Sequence, residues 1–128
     1  MSMQKSVRDK VLEYVKQKYG TEPEYLWMRF PRYAVFRHPN NCKWYALIMD
    51  VLPEKLGLSG KERIDILNVN SGDPLLTELL IQQRGYSRGY HFSRGNWISV
   101  LLDGTVPFDQ ICHRIDESYT VTASKSKR

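Results

Sequence analysis

Apolar positions recur with two different periods along the chain, and the changes of period delimit the predicted elements. From Ser6 to Tyr19 the apolar residues have helical spacing, which predicts an amphipathic helix that ends at Gly20. From Tyr25 to Val51 the period becomes two, which predicts strands in YLWMRF, RYAVFRH and WYALIMDV. The Asn40-Asn41 pair predicts a tight hairpin turn between the last two, because Asn tolerates left-handed backbone angles.

The second half of the chain predicts two more helices and further strands. RIDILNVN has the composition of a strand, and after it Asp73 can cap a helix whose first turn Pro74 suits. We expect Gly85 to end this helix. Its expected core-facing residues are Leu75, Leu76, Leu79 and Leu80.

YSRGYHF and NWISVLL then predict one or two strands, Asp103-Gly104 predicts a turn, and apolar spacing predicts a last helix from about Val106 to Tyr119. Strand runs joined by hairpins imply antiparallel pairing. We therefore expect a two-layer α+β domain over residues 1–122, with a single antiparallel sheet of about five strands and helices on one face. The element order is helix, three or four strands, helix, one or two strands, helix.

Composition agrees with one globular domain and limits the class of function. The chain has 128 residues, 41% of them hydrophobic and 12% aromatic. Its two cysteines and polar start predict a reduced, cytoplasmic protein, and no apolar run is long enough for a membrane span. The net charge is +5, but three of these charges lie in the tail 123–128, which we expect to be disordered, so the body is only mildly basic.

Short motifs indicate neither metal nor nucleotide chemistry. The histidines His38, His91 and His113 are far apart and lack the neighbouring carboxylates or cysteines of a metal site. The chain has no GxGxxG, GxxxxGKS/T or GxSxG motif. We therefore expect no cofactor, no metal and no catalytic residue set.

A serine triad can be assembled on paper from Ser99, His91 and Asp103, but a triad is defined by geometry. Alternation places Ser99 on the strand face opposite its apolar neighbours, and Asp103 before Gly104 suits a turn. We expect both residues to be structural.

The run RGYSRGYHFSRGNW, residues 84–97, mixes arginines, aromatics and glycines. Guanidinium groups pair with phosphates and exposed rings stack on bases, so this mixture is typical of nucleic-acid surfaces. The residues expected to contact nucleic acid are Arg84, Arg88, His91, Arg94 and Trp97. The competing interpretation is that the rings pack inward, the arginines stay solvated, and His91 and Trp97 are structural.

Two further groups of cations lie elsewhere in the sequence. Alternation places Arg32 and His38 on one strand face and Arg37 on the other, so these cations do not share one surface. Lys55 and Lys61 lie in the loop PEKLGLSGKE and are additional candidate contacts.

One long stretch of the chain, GYHFSRGNWISVLLDGTVP followed by a helix ending in IDESY, resembles the signature of the MmcQ/YjbR family. YAVFRH, KWYALIM and LNVNSGDPLLTELL are also similar to segments of that family, so the resemblance covers residues 5 to 122. The residues that carry the motif are Tyr90, His91, Arg94, Trp97, Leu102, Asp103, Gly104, Pro107, Ser118 and Tyr119.

The resemblance implies an α+β fold similar to frataxin-like and secretion-chaperone-like proteins and to a double-wing domain of a phage transcription activator, which is why DNA binding has been suggested. It implies no catalytic residue. Where many members carry Lys, this chain has Asn70, whereas Arg94 keeps a cation at another position.

Three hypotheses follow, in decreasing order of support. The first is a non-enzymatic module that binds DNA through the Arg/aromatic surface. The second is a protein-interaction or chaperone-like domain with exposed Tyr and Trp. The third is a small ligand-binding protein or enzyme with a pocket near His91, Trp97 and Asp103. The sequence does not indicate an oligomeric state.

Overall fold

In the computed structural model, residues 5–90 and 95–123 are described and form three α-helices and one five-stranded sheet. The sheet is antiparallel throughout, with the strand order β1-β2-β3-β5-β4. This confirms the predicted α+β class and element order. The elements are α1 (Val7–Tyr19), β1 (Ala34–Arg37), β2 (Trp44–Val51), a 3-10 turn (Pro53–Leu56), β3 (Ile64–Asn70), α2 (Pro74–Leu80), β4 (Tyr86–Arg88), β5 (Trp97–Leu101) and α3 (Phe108–Thr122).

The helix ends follow the capping signals in the sequence. Ser6 Oγ accepts a hydrogen bond from the Asp9 N–H at 3.0 Å, and Gly20 ends α1 with φ of 66°. Asp73 Oδ1 accepts from the Leu75 N–H at 2.9 Å, as expected for the start of α2.

The predicted core face of α2 is wrong in part. Leu76 and Leu80 pack inward, but Leu75 and Leu79 are 69% and 54% exposed. The helix ends at Leu80, before the predicted stop, and is covered by the sheet on one side only. Its other core position is Thr77, whose hydroxyl lies 2.6 Å from that of Ser71.

The predicted first strand, YLWMRF, is also wrong. A single bridge joins Glu24 to Val35, and turns follow at 28–29 and 31–32. Instead of pairing as a strand, the 24–33 segment packs Trp27 edge-on against Tyr33 and Trp44. In the connection of β1 to β2, Cys42 has the left-handed backbone, with φ of 62°, that we expected of the Asn pair.

The sheet separates two hydrophobic clusters. The helix face carries the larger cluster, built from α1, α2, α3 and strand residues such as Phe36, Ile48 and Leu67. The second face carries a smaller cluster around Leu47 and Ile66, covered by the 24–33 segment, the 3-10 turn and Tyr90. The helices thus lie on one face, as predicted. None of the helices in the described part of the chain is long and apolar enough to span a bilayer.

Candidate functional site

Two of the three connections between consecutive paired strands, β1–β2 and β4–β5, emerge at the same end of the sheet. Arg37 at the end of β1 pairs with Trp44 at the start of β2, and the connection 38–43 joins them. Asn70 at the end of β3 pairs with Trp97 at the start of β5, where the connection 89–96 from β4 arrives. We call this the hairpin end; the 3-10 turn and the turn after β5 lie at the opposite end.

All three tryptophans of the chain lie on the second face near the hairpin end. The rings of Trp27 and Trp44 are 5.8 Å apart and perpendicular. Trp97 points to the same face because its neighbour Ile98 is in the helix-face cluster. Each of the three is half-buried, so part of each side chain is accessible to a ligand.

The cations near these rings differ in how they are paired. Arg37 donates two hydrogen bonds to the Glu24 carboxylate, one of them 2.7 Å long from Nε. The bond from Arg37 lowers the pKa of Glu24, so Glu24 is ionised and offsets the Arg37 charge at neutral pH. Lys43 precedes Trp44 at the same end of the sheet, on the side of His38, to whose N–H its carbonyl is hydrogen-bonded. It is exposed and has no carboxylate within ion-pair distance among the described residues.

Beneath the rings, the second face has a buried polar network. Ser99 Oγ donates to Asn68 Oδ1 at 2.5 Å and accepts from the Tyr90 N–H at 2.8 Å. Asn68 is fully buried and Ser99 is 2% exposed. Asp103 instead accepts from the Thr105 N–H at 2.9 Å, in the predicted turn. Ser99 lies inside β5 with its hydroxyl engaged, whereas Asp103 lies in the turn beyond the end of β5 at Leu101, so these side chains do not form a triad.

The structure does not bring the predicted nucleic-acid contacts to one surface. Arg84 precedes β4 at the opposite end, because Gly85 pairs with Leu101. Arg88 lies on the helix face and forms an ion pair with Glu78 of α2, whereas Trp97 lies on the second face.

Other predicted contacts lie elsewhere or cannot be placed. Lys55 and Lys61 lie at the opposite end, beyond β2. His91 and Arg94 belong to the β4–β5 connection, outside the described residues.

The residues that carry the family resemblance are divided between the two ends of the sheet. Asp103, Gly104 and Pro107 form the turn into α3 at the opposite end, separated from Trp97 by the length of β5, about 13 Å. A pocket shared by Trp97 and Asp103, as the ligand-binding hypothesis requires, is therefore absent from the described part of the chain. Tyr90 packs on the second-face cluster.

Ser118 and Tyr119 have structural roles at the hairpin end, on the helix face. Ser118 Oγ donates to the Tyr45 carbonyl at 2.5 Å and accepts from the Asn70 N–H at 2.9 Å, so it links α3 to β2 and β3. Tyr119 stacks on Tyr19, with ring centres 3.8 Å apart. The terminal Ser-Tyr of the motif therefore docks the last helix.

His38 is a buried titratable group on the helix face. Alternation placed it on that face together with Arg32, but the sequence did not predict its burial. It is 2% exposed, and its Nε2 is 2.9 Å from Thr122 Oγ1. Burial lowers the pKa of His38, so the ring is neutral at pH 7. A cavity of about 410 Å³ lies beside it, lined in part by Tyr19, Arg37 and Cys42.

Asp116 was also missed, because it lies among surface-like charges in the sequence of α3. It accepts hydrogen bonds from the hydroxyls of Tyr14 and Tyr19 and from Lys18 Nζ, which ties α1 to α3. Burial opposes ionisation, but these hydrogen bonds more than offset it and the pKa of Asp116 is lowered. In the described ranges 5–90 and 95–123, no three His, Cys, Asp or Glu side chains are grouped as metal ligands.

Comparison with known proteins identifies relatives over most of the chain. The YjbR family model matches residues 16–121. The uncharacterized protein YyaQ of Bacillus subtilis (strain 168) is 44% identical over 115 residues, which cover 90% of this chain and 97% of that protein.

Solved structures agree with this relationship. A crystal structure of a Pseudomonas syringae protein is 39% identical and superposes with a TM-score of 0.87, covering 91% of this chain and 98% of the other. The Deinococcus radiodurans protein DR2400 is 21% identical, with a TM-score of 0.66 over 89% of this chain and 76% of the other, which shows a shared fold. The extent of the sequence match places this chain in the YjbR family.

Proposed function

We propose that this protein is a non-enzymatic binding module that contacts nucleic acid with the hairpin end of its second face. The observation that carries the proposal is the grouping there of all three tryptophans, with the exposed cation of Lys43 at the same end of the sheet, immediately before Trp44. Stacking of bases on aromatic rings is largely independent of sequence, and a neighbouring ammonium attracts the phosphate backbone. The engaged hydroxyl of Ser99 and the turn role of Asp103 support a non-enzymatic module.

The proposed surface differs from the Arg/aromatic run of the sequence. Trp97 remains in it and Arg84 and Arg88 lie outside it, whereas Trp27 and Trp44 join it and Lys43 lies at its margin. Since Glu24 offsets Arg37, we expect modest affinity that depends more on stacking than on charge.

The proposal can be tested by fluorescence anisotropy with labelled single-stranded and duplex DNA across a salt series. One phosphate neutralised by Lys43 gives a slope of log affinity against log salt of about −0.9 for duplex DNA and about −0.7 for single strands. Lys43→Glu should weaken binding, whereas the matched reversal Lys61→Glu, an exposed lysine at the opposite end, should not. Absence of binding at low salt, or equal loss in both variants, contradicts the proposal.

A second candidate, protein interaction, is favoured by the 24–33 segment. Four of the eight large apolar side chains exposed in the described part of the chain occur within six residues of it: Tyr25, Leu26, Met28 and Phe30. A protein captured from nuclease-treated lysate by wild type but not by Met28→Asp would support this function. Equal capture by both proteins would argue against it.

A further inference from the structure

β4 is an edge strand with unpaired backbone groups. The Gly89 N–H donates to the Trp97 carbonyl, and the Leu101 N–H donates to the Gly85 carbonyl. Hydrogen-bonded pairs alternate in an antiparallel ladder, so Ser87 also faces β5 while Tyr86 and Arg88 direct their backbone groups away from it. The Tyr86 N–H is taken by Gln83, but the Tyr86 carbonyl and both backbone groups of Arg88 have no partner in the described residues.

An apolar helix surface lies directly beside this edge. Leu75, Glu78 and Leu79 share one side of α2, since they are spaced i, i+3 and i+4. Glu78 reaches across to form an ion pair with Arg88 of β4. The exposed leucines, 69% and 54% accessible, are therefore contiguous with the open edge.

We propose that the protein forms a two-fold symmetric homodimer in which β4 pairs antiparallel with β4 of a second copy and the two α2 helices pack through Leu75 and Leu79. Antiparallel pairing of a strand with itself about Ser87 sets Tyr86 of one copy opposite Arg88 of the other. Each open Tyr86 carbonyl then accepts from an open Arg88 N–H. The same rotation brings the leucine pairs of the two α2 helices together.

A second copy fits this surface better than an extended peptide does. A peptide strand can pair with the β4 edge but provides no helix to cover Leu75 and Leu79. A second copy covers both the strand edge and the two leucines. It also brings the Glu78–Arg88 ion pair of each copy to the two-fold axis, where the opposite charges of the two copies can face each other. β4 has no proline that would block pairing, while its length of three residues and the charge of Arg88 limit the edge to a short pairing such as that between two copies.

The dimer does not depend on the proposed function. It joins the two sheets into one ten-stranded sheet and leaves the second face of both copies open at the hairpin end. Because the paired strands are antiparallel, the two hairpin ends point in opposite directions.

Sedimentation velocity over a concentration series tests the dimer. Wild type should shift from one chain mass toward twice that mass as concentration rises, and Leu75→Glu/Leu79→Glu should abolish the shift. Leu26→Glu is the matched control, a leucine of 47% exposure far from β4, and should dimerise as wild type does. Thermal melts confirm that each variant folds.

Arg88→Pro provides an independent test of the strand pairing. It removes an N–H that faces away from β5, so the β4–β5 ladder is retained while the edge loses its donor. We expect loss of the dimer in this variant as well. A wild type that stays monomeric at every concentration, or a dimer that survives both the leucine and the proline variants, overturns the proposal.

Discussion

The two faces of the same sheet are stabilised in different ways. On the helix face, three helices pack aliphatic side chains against the strands, as at Ile111 and Ile115 of α3. On the second face, an irregular segment covers the strands with the aromatic ring of Trp27 and a 3-10 turn covers them with Leu56, and the face also contains the buried pair Asn68 and Ser99. Regular amphipathic elements thus form one half of the core, and individual side-chain contacts form the other.

The largest expected difference between the faces concerns neighbouring β3 residues. Leu67 on the helix face and Ile66 on the second face are both fully buried. We expect Leu67→Ala to reduce the free energy of unfolding by about 3–5 kcal/mol and Ile66→Ala by about 2–3 kcal/mol, because the loop covering the second face can partly collapse into the cavity. Urea denaturation measures both; equal costs would show that the second face is as rigid as the helix face.

A smaller effect is expected from the polar pair of the second face. Ser99→Ala removes the acceptor of the Tyr90 N–H and the donor to Asn68 Oδ1, and should cost about 1–3 kcal/mol. Ser87→Ala, directly opposite on β4, removes a hydroxyl with no side-chain hydrogen bond in the described residues and should cost less than about 0.5 kcal/mol. Chemical denaturation measures the free energy of unfolding of both variants. Equal losses in the two would contradict a stabilising role for the hydrogen bonds of Ser99.

The smallest effect concerns the buried histidine of the helix face. Because burial lowers the pKa of His38 below 6.5, the unfolded chain takes up a proton that the folded chain does not as the pH falls through 6.5. Stability is therefore fully present above that pH and decreases below it, until the folded pKa is reached, by at most about 1.4 kcal/mol per pH unit. The slope of unfolding free energy between pH 7 and 5 should be smaller in His38→Gln; an unchanged slope would contradict this assignment.

The elements that sequence analysis predicted correctly are those set by local signals. The helix stop at Gly20, the cap at Asp73, the Asp103-Gly104 turn and the five strands depend on short-range hydrogen bonds and alternation. Alternation also placed Ser99 opposite Ile98 correctly, because side-chain direction in a strand is fixed by its period.

The surfaces were harder to predict because they depend on long-range placement. Arg84 and Arg88 are close in sequence to Trp97, yet the strand carries Arg84 to the opposite end and directs Arg88 to the other face. Leu75 and Leu79 have the spacing of core residues, and nothing in the local sequence shows that α2 is covered on one side only. The grouping of Trp44 with Trp97 follows from the pairing of β2, β3 and β5, which a pattern within one segment does not specify.

The two thiols of the chain differ in a way that is useful for spectroscopy. Cys42 is exposed in the β1–β2 turn at the hairpin end, whereas Cys112 is half-buried in α3. Burial raises the pKa of the Cys112 thiol, so the nucleophilic thiolate is scarce there at neutral pH. A maleimide dye should therefore react first at Cys42. The native sequence is thus suitable for attaching a fluorescent reporter two residues before Trp44.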